Sequence, residues 1–201
     1  AALVANALDL AGYPMAPQRF YEFAARVIEK EGYLLHKYNP DGTLASSWHP
    51  WFDGEGPQLP IQEDETALVI WALWQHFVLY RDIEFIKPLY RGLIKRAADF
   101  MVSYRDEKSG LPSPSYDLWE ERFGVHSFTV AAVIAGLRAA ANFARLFQDA
   151  SLAEKYDKVA EQMKEGLTKH LYHTGLKRYA RSGYRKGKGY ELDEVIDVSL
   201  L

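Results

Sequence analysis

The chain has 201 residues, 48% of them hydrophobic and 25% charged, the balance of a folded globular chain with enough length for one core. A formal net charge of -3 gives no basic footprint for nucleic acid and no polybasic stripe for a membrane surface. Cysteine is absent, which excludes disulfides, thiolate metal sites and a cysteine nucleophile.

No run approaches the ~18 uninterrupted apolar residues that a membrane span requires. No signal peptide is visible, and a cysteine-free chain fits a cytoplasmic protein. Six segments read as helix. Residues 1–11 are apolar on nearly every side and begin without a capping residue, so the chain reads as cut inside a helix. Residues 17–31 open with Pro17 at a first-turn position and carry Arg19, Glu22, Arg26 and Glu29 on one polar face. Residues 64–80 start at Asp64, read as the cap, and place Ala67, Ile70, Trp71, Trp74, Phe77 and Val78 at helical spacing, with further apolar residues on the other faces. Residues 83–104 are amphipathic, with Lys87, Arg91 and Lys95 on one stripe. Residues 127–147 are again apolar all round, and 152–171 have Glu154, Lys158, Glu161 and Glu165 along one side. The last residues, 193–201, read as the entry to another helix, so the chain also reads as cut at its end.

A helix that is apolar on every face must be buried on every face, whereas an amphipathic one can lie outside it. The order is therefore inner, outer, inner, outer, inner, outer, with inner helices starting about 63 residues apart. The inner-to-outer connections are short. The outer-to-inner ones, 32–63, 105–126 and 173–192, are long and gather where the inner helices begin. Long loops on a rigid helical frame are where function concentrates. The expected fold is all-α: three helical hairpins with one functional face, forming a single partial domain over 1–201.

The first long loop mixes Tyr33, His36, Lys37, Tyr38, Trp48, His49 and Trp51 around an Asn39-Pro40-Asp41-Gly42 turn. Flat rings beside hydrogen-bonding groups suit a sugar, whose C–H faces stack while its hydroxyls bond; the same rings could equally pack the loop onto its scaffold. Gln62-Glu63-Asp64-Glu65 then collects three carboxylates at an inner-helix start, where Asp64 and Glu65 suit capping and the helix dipole and Gln62 is the better ligand candidate. The sharpest feature is Asp117-Leu118-Trp119-Glu120-Glu121-Arg122. Adjacent glutamates point different ways, so one can enter a cleft. A carboxyl wedged against an indole is desolvated and stays protonated, as a glycosidic general acid must. Two glutamates in a loop are otherwise ordinary solvent-facing charges. The histidines show no ligand spacing, so no zinc site or cofactor is expected, and His126 is read as orienting the helix that follows it. The segment 181–189 reads as a basic turn without strand context.

With these residues on view, the sequence resembles glycoside hydrolase family 15, the glucoamylase and glucodextranase family. The resemblance rests on Asp117-Leu118-Trp119-Glu120-Glu121 with Phe128-Thr129, on Asn39-Pro40-Asp41-Gly42, on Ser46-Ser47-Trp48-His49-Pro50-Trp51 and on Gln58 to Thr66. It implies about half of an (α/α)6 barrel, hydrolysis of α-glucosidic bonds from non-reducing ends with inversion, and an α-glucan or α-glucoside as partner. By the same resemblance Glu120 is the general acid. Glu121, Trp119, Leu118, Asp117 and Gln62 line the substrate, with Asp117 supporting the acid, Trp48 or Trp51 stands in for a stacking tryptophan, and His49 joins the substrate-binding residues. The general base falls outside 1–201, in the rest of the same catalytic domain. A trehalase or glucodextranase on the same scaffold, or a non-catalytic sugar-binding or regulatory module, remain the alternatives.

Overall fold

The computed structural model describes residues 1–47, 50–53, 56–187 and 189–200. Its helices follow the expected alternation. Helix α1 (Ala2–Leu10) turns back into α2 (Met15–Val27), α3 (Glu63–Tyr80) into α4 (Ile83–Leu89), and α6 (Ser127–Leu146) into α7 (Ala150–Leu171). Between α4 and α6 the chain passes through a π-helical stretch, Tyr90–Lys95, and α5 (Arg96–Ser103). The single helix expected over 83–104 is thus three segments. Pro88 inside α4 lacks an N–H and crowds the preceding turn, and the wider π turn follows directly after it.

Helices α1, α3 and α6 pack side by side as the inner row, with α2, α4–α5 and α7 behind them. The patterning explains this. Helix α6 buries Val130, Val133, Leu137 and Ala140 as well as Ala132, Ala139 and Phe143, residues that face in several directions. Helix α7 buries only the stripe Ala153, Tyr156, Val159, Ala160 and Met163. Contrary to the sequence expectation, α6 is long and apolar enough to cross a membrane; most of it is buried against α3 and α7. Helix α1 also departs from its pattern. It buries Ala2, Ala5 and Asp9, while Leu3, Val4 and Leu10 are exposed, Leu10 by 70%. Inside the row, Asp9 Oδ1 lies 2.8 Å from His76 Nδ1 on α3, and Tyr80 donates to the Asp9 carbonyl. Burial raises the Asp9 carboxyl above its ordinary value, opposed by the His76 bond.

The all-α expectation is incomplete, because the long connections contain strands. A short hairpin pairs β1 (Phe52–Asp53) with β2 (Gly56–Pro57). The second and third connections build one antiparallel sheet in the order β3-β4-β7-β8, from β3 (Ser115–Tyr116), β4 (Phe123–His126), β7 (Ser182–Lys186) and β8 (Gly189–Leu192). A smaller hairpin joins β5 (Tyr172–His173) to β6 (Arg178–Tyr179). The basic turn expected at 181–189 is therefore a strand hairpin, in which charged and aromatic residues alternate across the pleat. Strand β4 runs straight into α6, so the sheet sits where that inner helix begins. The first connection joins the same end through its Leu35–Ile61 bridge and the Leu34 N–H bond to Thr66 Oγ1 on α3.

Close approach of α3 and α6 fixes this geometry. A Cβ on Gly136 would stand 2.8 Å from the Ala67 carbonyl oxygen, a backbone atom that cannot swing away. Gly136→Ala is therefore expected to destabilise the protein by about 1–3 kcal/mol, although alanine is the better helix former. Gly92, whose Cβ would meet nothing within 4 Å, serves as the control, and its alanine variant is expected to be neutral or stabilising. Urea midpoints for the two variants check this; equal midpoints would remove the steric argument.

Candidate active site

The candidate site is built from the first turn of α3 and the tip of the β3–β4 hairpin. Asp117 shapes the tip. Its backbone N–H donates to the Arg122 carbonyl at 2.9 Å, its carbonyl accepts from Glu120 N–H at 2.9 Å, and its carboxylate Oδ1 accepts from Glu121 N–H at 2.8 Å and Arg122 N–H at 3.3 Å. This tight closure forces Glu120 into the left-handed region at φ 55, where a side-chain-bearing residue costs on the order of 1 kcal/mol. The two glutamates then diverge as expected: Glu121 is exposed, while Glu120 is 8% exposed and turned inward.

Gln62 ties the hairpin to α3. Its Nε2 donates to the Asp117 carbonyl at 2.8 Å and to the Tyr116 carbonyl at 3.2 Å. Its Oε1 lies 2.8 Å from His36 Nδ1. The other ring nitrogen, Nε2, is 2.8 Å from Glu120 Oε1, and Nδ1 is also 3.3 Å from Glu65 Oε1. His36 thus sits between two carboxylates. The bond to Glu65 raises its pKa, burial opposes this, and the Gln62 bond and Glu120 charge add to the rise. His36, which the sequence offers only as one of several sugar-suited loop residues, is the side chain that the fold sets against Glu120. No spacing rule pairs it with a residue 84 positions away, and only the folded loop makes the contact.

The capping expectation for Asp64 and Glu65 gives way to a different arrangement. The helix begins at Glu63, Gln62 occupies the cap position, and no side chain caps it. Asp64 is buried, accepts from Thr129 Oγ1 at 3.1 Å, and is pushed up to about 6 by burial and then by the Glu65 charge. Glu65 is raised by burial, with His36 opposing. Glu63 is 1% exposed and neither of its carboxylate oxygens has a hydrogen-bond partner among the described residues. Ser115 beside it gives its hydroxyl to the Tyr116 carbonyl. Burial pushes Glu63 up to about 8, so it is held neutral at neutral pH.

Other candidates fall into place with corrections. Trp119 is 49% exposed and its Nε1 lies 3.2 Å from both oxygens of Asp197, while the Glu120 carboxyl meets the His36 imidazole. Asp117 shapes the turn that carries Glu120. Gln62 spends both ends of its amide on His36 and the hairpin, which makes it a strut at the cavity wall. Trp51 is buried, edge-on to Tyr116 with ring centroids 4.7 Å apart, so it is a packing ring and not an open stacking face. Trp48 and His49 lie outside the described residues. His126 clamps the sheet, with Nδ1 2.7 Å from Ser182 Oγ and Nε2 2.9 Å from the Ser115 carbonyl oxygen. A cavity of about 460 Å³ opens beside His36, Gln62 and Glu65, with Leu118 and Phe128 on its wall.

This helical scaffold, with an acid-bearing hairpin over the start of an inner helix, has clear relatives. Residues 2–200 match glycosyl hydrolases family 15, and the chain belongs to that family. It is 29% identical over 198 residues to an uncharacterized glycosyl hydrolase of Methanocaldococcus jannaschii, covering 98% of this chain and 28% of the relative. It is 31% identical over 169 residues to a glucoamylase of a Clostridium species, covering 84% of this chain and 20% of that protein. It thus spans about a quarter of the length of these curated relatives. A bacterial glucoamylase solved in complex with acarbose superposes with a TM-score of 0.66 at 25% identity, over 98% of this chain and 24% of that one. The glucoamylase of Saccharomycopsis fibuligera shares the fold, with a TM-score of 0.64 at 16% identity over 90% of this chain and 41% of its own.

The buried acid at Glu63 has a measurable consequence. A carboxyl whose folded pKa is raised contributes stability that is complete below its ordinary value of 4.5 and is lost as pH climbs to about 8. Glu63→Gln keeps the shape and removes the titration. In the intact protein, the variant should lose less stability than the parent between pH 5 and pH 8, by up to a few kcal/mol. Urea unfolding at both pH values checks it; parallel losses would show that Glu63 is not held neutral.

Proposed function

We propose that this chain is the general-acid part of an inverting, exo-acting hydrolase of α-glucosidic bonds, with Glu120 as the acid. The observation that carries the reading is the Glu120 carboxyl itself: buried, held inward by a strained turn, and bonded to His36 at the mouth of an inner helix. A solvent-facing surface charge would have none of these features. Family membership supports the reaction class, and the acarbose complex of the bacterial glucoamylase supports an α-glucan or α-glucoside as substrate.

In this reading the Glu120 proton passes to the glycosidic oxygen as the bond to the anomeric carbon breaks. A second carboxylate takes a proton from the water that attacks the opposite face. That base belongs to the remainder of the catalytic domain, as does the other half of an (α/α)6 barrel in which these three hairpins form about half. The apolar face of α1 at Leu3, Val4 and Leu10 is the surface that remainder covers. Leu118 on the cavity wall and the half-exposed Trp119 offer apolar surface to sugar C–H faces, and the exposed Glu121 offers acceptors to its hydroxyls.

In the full-length protein, Glu120→Gln is expected to lower kcat on maltose or soluble starch by about 10²–10⁴-fold while leaving KM near that of the parent. Residues 1–201 alone, which lack the base, should turn over no glucoside. Steady-state glucose release from both proteins checks this; a Glu120→Gln enzyme with parental kcat rejects the assignment. Comparing maltose, isomaltose, dextran and trehalose then separates a glucoamylase from a glucodextranase or trehalase, and binding without turnover on all of them would leave a sugar-binding module.

A further inference from the structure

We propose that His36 is the positioning residue of Glu120 and shares the proton that Glu120 delivers. The inference rests on Glu120 being the acid and adds a residue to that site.

The argument begins at Gln62. Its amide could in principle point either way round, but Nε2 faces two backbone carbonyls, of Asp117 and Tyr116, which accept only. Its Oε1 must therefore face His36, and His36 Nδ1 must carry a hydrogen. Glu65 Oε1, 3.3 Å from the same nitrogen, is a second acceptor there. The tautomer is thereby fixed from one side. Nε2 is left facing Glu120 Oε1 at 2.8 Å, and one proton lies in that contact. It belongs either to an imidazolium beside a carboxylate or to a carboxylic acid beside a neutral imidazole. The two forms have the same proton count, and a small shift converts one to the other.

The acceptors around His36 favour keeping that proton, and burial opposes them. Glu65 and Gln62 face it from the start of α3, and Glu120 faces it from the hairpin. Buried Asp64 lines the same cavity, and the tilted ring of Trp51 lies 6.1 Å away on the remaining side. When Glu120 gives its proton to the leaving oxygen, the pair becomes a carboxylate beside a neutral imidazole. It regains a proton from solvent, which receives the one that the base removed from the attacking water. His36 therefore does two things: it fixes the rotamer of Glu120 through Nε2, and it stands as the second holder of the proton in their contact.

Three variants of the full-length protein test this. His36→Ala is expected to lower kcat by roughly 10- to 100-fold with KM changed less than about 3-fold, because positioning and loading are lost while substrate contacts remain. Its alkaline limb in the kcat/KM profile should move to lower pH, since the pair has lost its more basic member. His36→Gln, whose amide can donate to Glu120, should recover part of kcat and leave the limb displaced. A structural filler would behave otherwise, so parental limbs in both variants, or a loss carried by KM, would overturn the proposal. Should the His36 variants fail to fold, NMR titration of the His36 ring in the parent and in Glu120→Gln decides the contact: its pKa should fall when Glu120 is neutralised, and an unchanged value rejects the pairing. If the parent cleaves no glucoside at all, the proposed function falls, and the NMR comparison still tests whether the two groups share a proton.

Discussion

The amide of Gln62 is the joint on which the site depends. One side chain, 3% exposed, spans three parts of the chain: its oxygen fixes His36 from the first long connection, its nitrogen holds the hairpin, and its backbone opens α3. An unmatched amide in such a place would cost about 1–3 kcal/mol, so each partner is constrained by the others. The hairpin could not hold Glu120 at a left-handed turn, and His36 could not hold its tautomer, without that cross-brace.

Around this joint the charge balance is unusual. Glu63, Asp64, Glu65 and Glu120 crowd one helix start, and His36 lies between two of them, Glu65 and Glu120. Burial settles how so many acids coexist. Glu63 is pushed up to about 8 and stays neutral at neutral pH, which takes one charge out of the cluster, and Asp64 is pushed up to about 6. The third connection braces the far side of the hairpin. Arg181 lies 2.6 Å from Asp193 and 3.6 Å from Asp197, and Asp197 in turn accepts from Trp119. Burial disfavours the Asp193 charge, but the Arg181 bond and charge, the Val195 N–H and the Tyr184 hydroxyl together outweigh it and hold that carboxyl below its ordinary value. All three long connections therefore meet at Glu120 and its hairpin, which is what a ring of helices with lopsided loops allows.

The helical alternation was legible because burial writes itself into periodicity: α6 is apolar in all directions and α7 along one stripe, and both occupy the layers those patterns require. The divergence of Glu120 and Glu121 was legible because adjacent glutamates in a loop point different ways, whereas the role proposed for Glu120 comes from the family resemblance. The strands were not, since β3 and β5 are two residues long and β4 four, too short for alternation to register. Nor were His36, Glu63 or the true duty of Trp51. Each depends on which partner the fold brings alongside, and the sequence offers no period for a contact made across 26 or 84 positions.

The buried acids also show which of two opposing effects governs the start of α3. An inner-helix N-terminus favours negative charge, and this is the reason three carboxylates there look like capping groups. That preference is worth about 0.3–1 kcal/mol, and ~2 kcal/mol in favourable partly buried cases. A carboxyl moved from 4.5 to about 8 reports a burial cost of about 5 kcal/mol against ionisation, so at Glu63 desolvation wins over the dipole. Glu120 is placed differently, on the hairpin and against the His36 imidazole. The division follows from placement. Glu63, sealed beneath the helix start, is held neutral by burial, whereas the carboxyl brought in by a separate loop meets a hydrogen-bonding imidazole, the arrangement on which the proposed proton donor rests.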